Sequence, residues 1–156
     1  MLGNPPAGVI EPRQDALAQD SFCFEVNPAS IQQDAAQCLG THLLVELYDC
    51  DPQSLERVDN VERALVEAAR ASGASIVSHF FHEFQPYGVS GVVVIEESHY
   101  TVHTWPERGY AAVDLFFCSE LVKPELALEA LRDAFRPKTV SVMKVQRGMR
   151  SASSDG

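Results

Sequence analysis

Within the stretch EESHYTVHTWPERGYAAVDLFFC, residues 96–118, a serine, two histidines and a cysteine can do chemistry: Ser98, His99, His103 and Cys118. His99 and His103 are four positions apart, so on a continuous strand they share a face, and with Glu97 or His82 they offer the donor types of a metal site. Spacing fixes no third ligand, and strand histidines are commonly exposed or hydrogen-bonded, so no metal is assigned. Ser98 lacks the G-x-S-x-G context of a hydrolase nucleophile. It also differs from His103 by an odd number, which separates the two onto opposite faces of a straight strand unless the chain turns or bulges near Ser98. Cys118 ends an apolar run, where burial is the ordinary fate of a cysteine. Asp114 puts a carboxylate on the face that carries Tyr110, Ala112 and Phe116, so this face is not plainly a dry core.

The elements that must hold these residues follow from periodicity. THLLVELYDC alternates, with Leu43, Val45 and Leu47 on one side, and reads as a strand. The segment 51–73 reads as one helix, with Asp51 as N-cap, Pro52 in the first turn and Gly73 at the end. Its apolar face is Leu55, Val58, Val61, Leu65, Ala68 and Ala69. ASIVSHFFHEF is a second strand closed by QPYG, VSGVVVIE and HYTVHTW form a hairpin, and PERG turns into YAAVDLFFC. KPELALEALRDAF gives a second helix, with Leu126, Ala127, Ala130, Leu131, Ala134 and Phe135 inward, and KTVSVMKVQRG a last strand. An antiparallel sheet with two helices on one face is predicted, a two-layer α+β sandwich.

Residues 1–38, rich in Ala, Gln, Asp and Pro, read as an N-terminal extension with at most a short strand at SFCFEV; 39–148 form the domain and 149–156 a mobile tail. A net charge of −10 argues against a general nucleic-acid binder. No stretch reaches the roughly 20 apolar residues of a membrane helix. No secretion signal is recognised, so a cytoplasmic location is expected, with the four cysteines Cys23, Cys38, Cys50 and Cys118 reduced and free of zinc-ligand spacing.

FFHEFQPYGVSGVVVIEESHYTVHTWPERGYAAVDLFFC and GTHLLVELYDCD closely resemble the small prokaryotic S-adenosylmethionine decarboxylase proenzymes over roughly residues 39–148. The order and spacing of Ser, His and Cys in ESHYTVHTWPERGYAAVDLFFC match without a gap. The resemblance implies a chain that cuts itself at Glu97–Ser98 and converts Ser98 into a pyruvoyl group, with His103 as the processing base. The products would be a β chain, 1–97, and an α chain, 98–156.

The resemblance implies the rest of the site as well. The substrate S-adenosylmethionine would condense through its amine with the pyruvoyl ketone, an electron sink that no ordinary side chain offers. Cys118 would return a proton to the α-carbon, since a thiol is largely protonated at neutral pH. Phe84 would stack on the adenine, Ser90 lie near the processing site and Glu107 contact the nucleoside across a dimer of αβ protomers. Thr41 stands where an arginine or lysine is frequent. Relatives in the superfamily act on arginine or ornithine, which makes a basic amino acid the alternative substrate. The product expected here is the aminopropyl donor for spermidine synthesis.

Overall fold

Alternation of inward and outward residues organises the sheet. The computed structural model describes residues 38–149, so the predicted extension lies outside it save for Cys38, and the tail save for Met149. The strands are β1 (Gly40–Tyr48), β2 (Ile76–Glu83), β3 (Val89–Ile95), β4 (Ser98–Trp105), β5 (Tyr110–Phe117) and β6 (Thr139–Arg147). They pair antiparallel throughout in the order β2-β3-β4-β5-β1-β6. Leu43, Val45 and Leu47 of β1, Val89 and Val93 of β3, Tyr100 and Val102 of β4, and Val113 and Leu115 of β5 are buried against the helices. Gly91 sits opposite Phe81 on this face, where an added Cβ would collide with the phenylalanine ring.

Among the described residues three helices cover that face: α1 (Pro52–Glu56), α2 (Val58–Ala71) and α3 (Pro124–Phe135). The helix predicted over 51–73 is therefore two. Asp51 caps α1 by accepting from the Gln53 N–H at 3.1 Å, and Pro52 starts it as expected. Arg57 then takes an extended conformation, with φ −114° and ψ 143°. The cause lies on β2: Glu83 pairs with the Arg57 guanidinium at 3.0 Å and accepts from the Val58 N–H at 2.8 Å. A carboxylate remote in sequence thus supplies the N-terminal cap of α2, in place of the continuing helical hydrogen bond.

Leu55, Val61, Leu65, Ala68, Leu131 and Phe135 are fully enclosed. Leu126, expected inside, is exposed. At about 25 cal/mol per Å² of apolar surface removed from water, each enclosed leucine or phenylalanine contributes about 1.5–3 kcal/mol. No helix among the described residues is long and apolar enough to cross a membrane.

Among the described residues the opposite face of the sheet carries no helix. His42, Glu46, Ser90, His99, Thr101, His103, Trp105, Tyr110, Asp114 and Phe116 alternate with the buried set and project from it. The chemistry-bearing residues of the sequence therefore lie mainly on the uncovered face.

Candidate active site

Strands β3 and β4 are joined through Glu96 and Glu97 alone, since Ile95 pairs with Ser98. Two-residue hairpins ordinarily use Gly or Asn at positive φ. Neither glutamate does so; Ser98 does instead, at φ 146°. This region favours glycine, and a serine held there stores strain of about 1–3 kcal/mol. The turn is held by the backbone of Ser75 through two hydrogen bonds. The Glu97 carboxylate accepts from the Ser75 N–H at 3.1 Å, and the Glu96 N–H donates to the Ser75 carbonyl at 2.9 Å.

The Cys118 backbone N–H donates to the Glu97 carbonyl at 2.9 Å, one step beyond the Ser98–Phe117 pair. This carbonyl belongs to the Glu97–Ser98 peptide. An N–H already aimed at it polarises the carbon and favours negative charge on the oxygen if a nucleophile adds. The Cys118 side chain is exposed and lines a cavity of about 200 Å³ with Cys38, Gly40, Thr41, Ser119 and Glu120. Glu97, Ser98 and Cys118 thus form one group.

His103 belongs to another. Its Nδ1 lies 2.7 Å from Ser90 Oγ, across a directly paired position of β3 and β4. If Nδ1–H donates to Ser90, Nε2 is left as the basic nitrogen. His103 and Ser90 line a cavity of about 470 Å³ together with Phe84, Tyr87, Trp105 and Glu107. Phe84 meets the His82 ring edge-on at 4.7 Å, and Glu107 stands on the 3₁₀ turn Pro106–Arg108 that follows β4. All four residues expected to bind substrate or take the processing proton therefore converge in one hollow.

The two groups do not meet within one chain. Ser98 and His103 are the first and sixth residues of one uninterrupted strand, separated by about 17 Å at roughly 3.3 Å per residue. The turn expected near Ser98 is present, but it lies before the serine and closes none of this gap.

His99 and His103 share the open face as the spacing predicted, but their neighbours differ: Phe116 against His99 at 5.5 Å, Ser90 against His103. Among the described residues no three His, Cys, Asp or Glu side chains converge to hold an ion. Asp114 accepts from the Thr101 hydroxyl at 3.1 Å and faces His42 Nε2 at 3.4 Å. Burial lowers the His99 pKa, and the nearby His42 adds to the effect.

Comparison with known proteins decides the family. The family model described as S-adenosylmethionine decarboxylase matches residues 41–148. The chain belongs to the S-adenosylmethionine decarboxylase family.

The S-adenosylmethionine decarboxylase proenzyme of Thermodesulfovibrio yellowstonii is 52% identical over 111 residues, 71% of this chain and 82% of the relative. That of Thermotoga maritima is 54% identical over 110 residues, 70% and 85% of the two chains. The crystal structure of the adenosylmethionine decarboxylase from Aquifex aeolicus VF5 superposes with a TM-score of 0.69 at 32% identity, covering 77% of this chain and 99% of that one. The resemblance read from the sequence and the α+β sandwich are both upheld. The matched segment of this S-adenosylmethionine decarboxylase family member takes in the six described strands save for Gly40 of β1, and residues 1–40 lie outside it.

Sequence reasoning missed Trp105 and Tyr87 in the His103 hollow and the Cys118 N–H at the Glu97 carbonyl. Trp105 was legible in principle, because it lies two positions from His103 and so on the same strand face. The Cys118 N–H was not, because it depends on the register of β5 against the turn.

Proposed function

We propose that this protein is a self-cleaving, pyruvoyl-dependent decarboxylase of S-adenosylmethionine, and that its active sites form between two copies of the chain. The observation that carries the reading is the Glu97–Ser98 peptide: a strained serine following a carbonyl that already accepts a fixed N–H. Ser98 Oγ attacks the Glu97 carbonyl carbon, the C–N bond breaks and an ester replaces the amide. The positive φ favours this shift, because opening the peptide releases the strain. The Cys118 N–H stabilises the oxyanion of the tetrahedral intermediate.

A base then removes the Ser98 α-proton, and β-elimination expels the Glu97 carboxylate. The dehydroalanine left at residue 98 tautomerises, adds water and loses ammonia, leaving a ketone. His103 Nε2 is the base, oriented by Ser90. Because His103 lies too far along its own strand, it acts on Ser98 of a second copy. The uncovered sheet face supports this pairing, since Trp105 and Phe84 stay 39% and 48% exposed on it in one copy. A twofold partner laid on that face would cover them.

The residues present fit a pyruvoyl group, since position 98 is a serine at positive φ directly after the turn, and Cys118 follows its strand partner Phe117 and reaches the Glu97 carbonyl through its backbone N–H. The ketone supplies a sink for the electron pair left when CO₂ departs. Phe84, Glu107 and Ser90 of one copy bind and orient the nucleoside, and Cys118 of the other delivers a proton to the α-carbon. The alternative, a basic amino acid as substrate, finds less support: the matched family model and the relatives named above carry S-adenosylmethionine in their names.

Cleavage leaves β1, β2 and β3 on the chain 1–97 and β4, β5 and β6 on the chain 98–156. With β1 paired between β5 and β6, the two fragments interleave and part only if three strand ladders break. Denaturing electrophoresis tests the reading: two fragments from the natural chain, one intact chain from Ser98→Ala. A natural chain that stays whole on prolonged incubation contradicts it.

A further inference from the structure

A serine stays at φ 146° only if the residues on either side of it are held. The holding parts reach the turn from the helical layer. α2 ends in a loop, residues 72–75, that is tied to three elements. The Gly73 and Ala74 N–H groups close the helix end on the Arg70 and Ala69 carbonyls at 3.0 and 3.1 Å, with Gly73 at φ 78°. The Ser72 carbonyl accepts from the Lys123 N–H at 2.8 Å, just ahead of α3. The buried Ser72 hydroxyl donates to the Ala69 carbonyl at 2.8 Å, so the Tyr100 hydroxyl, 2.9 Å away, donates to Ser72. Tyr100 is itself fully buried and stands on β4 two residues after Ser98.

Ser75 carries this rigidity to the turn. Its carbonyl takes the Glu96 N–H, and its own N–H is shared by the two oxygens of the Glu97 carboxylate at 3.1 and 3.3 Å. Glu97 is fixed again at its carbonyl by the Cys118 N–H. Ser98 therefore lies between two anchored residues, Glu97 on Ser75 and Cys118, and Tyr100 on Ser72. Relaxation of Ser98 to negative φ has to break one of these anchors. The Glu97 carboxylate is the anchor made by the side chain of the residue whose carbonyl carbon is attacked.

We propose that the Glu97 side chain is a positioning residue for self-cleavage: by gripping the Ser75 N–H it keeps Ser98 strained, and so favours the ester over the amide. This rests on the reading of Glu97–Ser98 as the scissile bond. In the step concerned the Ser98 Oγ–Glu97 C bond forms, the C–N bond breaks and the hydroxyl proton ends on the freed Ser98 amine. Glu97 takes no proton and touches no reacting atom through its carboxylate; it acts through the backbone of Ser98.

The test isolates that step. In a His103→Ala chain the elimination is blocked, and neutral hydroxylamine, which cuts esters and spares amides, reports the ester as a break between residues 97 and 98, located by intact mass. The His103→Ala chain is expected to be cut. Adding Glu97→Ala slows the cut about 5- to 20-fold, the loss of one hydrogen bond to a charged group at a partly exposed site. Glu97→Gln, which keeps an acceptor oxygen, restores most of the rate. Ser75→Pro, which removes the donor N–H but keeps the carbonyl, slows the cut to a similar degree, and adding Glu97→Ala to it slows the cut little further. Unchanged melting temperatures of the uncut chains show that each variant folds.

A Glu97→Ala chain cut as fast as its His103→Ala parent overturns the role of the side chain and leaves the scissile bond standing. So do fully additive effects of Ser75→Pro and Glu97→Ala. A His103→Ala chain that hydroxylamine never cuts overturns the reading of Glu97–Ser98, and this inference with it.

Discussion

Mixing two inactive variants tests the separation of Ser98 from His103. His103→Ala lacks the base but keeps the serine; Ser98→Ala lacks the serine but keeps the base. The two positions stand about 17 Å apart on one strand, whereas proton transfer needs a heavy-atom approach of about 3 Å. No rotamer change closes that gap, so each variant alone stays uncleaved or nearly so. Co-expressed in equal amounts with different tags, the two pair at random, and about half of the His103→Ala chains find a Ser98→Ala partner in a twofold dimer. Each such pair contains one complete site and one empty of both groups. About half of the His103→Ala chains are therefore cut, and no Ser98→Ala chain is, as read by tag-specific electrophoresis. Isolated mixed dimers in which the His103→Ala chain stays whole would refute the reasoning, as would efficient cleavage of His103→Ala alone.

Other consequences follow from the same geometry. Cys118→Ala keeps its backbone N–H and should still cleave, but with decarboxylation slowed about 10²- to 10⁴-fold, measured as CO₂ release. Ser90→Ala frees His103 Nδ1 and should slow self-cleavage without changing the melting temperature of the uncleaved chain. Glu83→Ala removes the cap of α2 and the Arg57 partner together, and should cost about 1–3 kcal/mol in denaturant unfolding. His99 contributes to acid sensitivity. Its folded pKa is lowered, so the unfolded chain takes up the proton first, and this share of stability, present above the ordinary histidine value of about 6.5, is lost as pH falls from there through the folded pKa. His99→Gln should flatten the fall in melting temperature between about pH 7 and pH 5.

The strands were legible because their alternation is strict: Leu43, Val45 and Leu47 are buried as their parity requires. Asp51, Pro52 and Gly73 marked the ends of the first helical region, and the ends hold. Its interior break at Arg57 was not legible, because the carboxylate that causes it, Glu83, arrives from a strand 25 residues further on. Leu126 followed the helical period of α3 yet stays exposed. The site was half legible. Ser98, His103 and Cys118 drew their roles from the family resemblance, because type and spacing alone assigned them none, but the parity that set Ser98 against His103 was a true signal. Ser98 and His103 do not meet within one copy, and a single sequence carries no mark of the contacts that the proposed second copy would complete. The strain at Ser98 was equally hidden, since serine itself gives no sign of a positive φ.

The central claim is that the backbone is cut at Glu97–Ser98 and that the new end becomes a ketone. Intact mass of the purified, denatured protein tests it most directly. The account predicts two polypeptides, residues 1–97 and 98–156, with the second lighter by one ammonia than the fragment that simple hydrolysis would leave. A single full-length mass, or a second fragment that keeps an ordinary serine at its N-terminus, would contradict it.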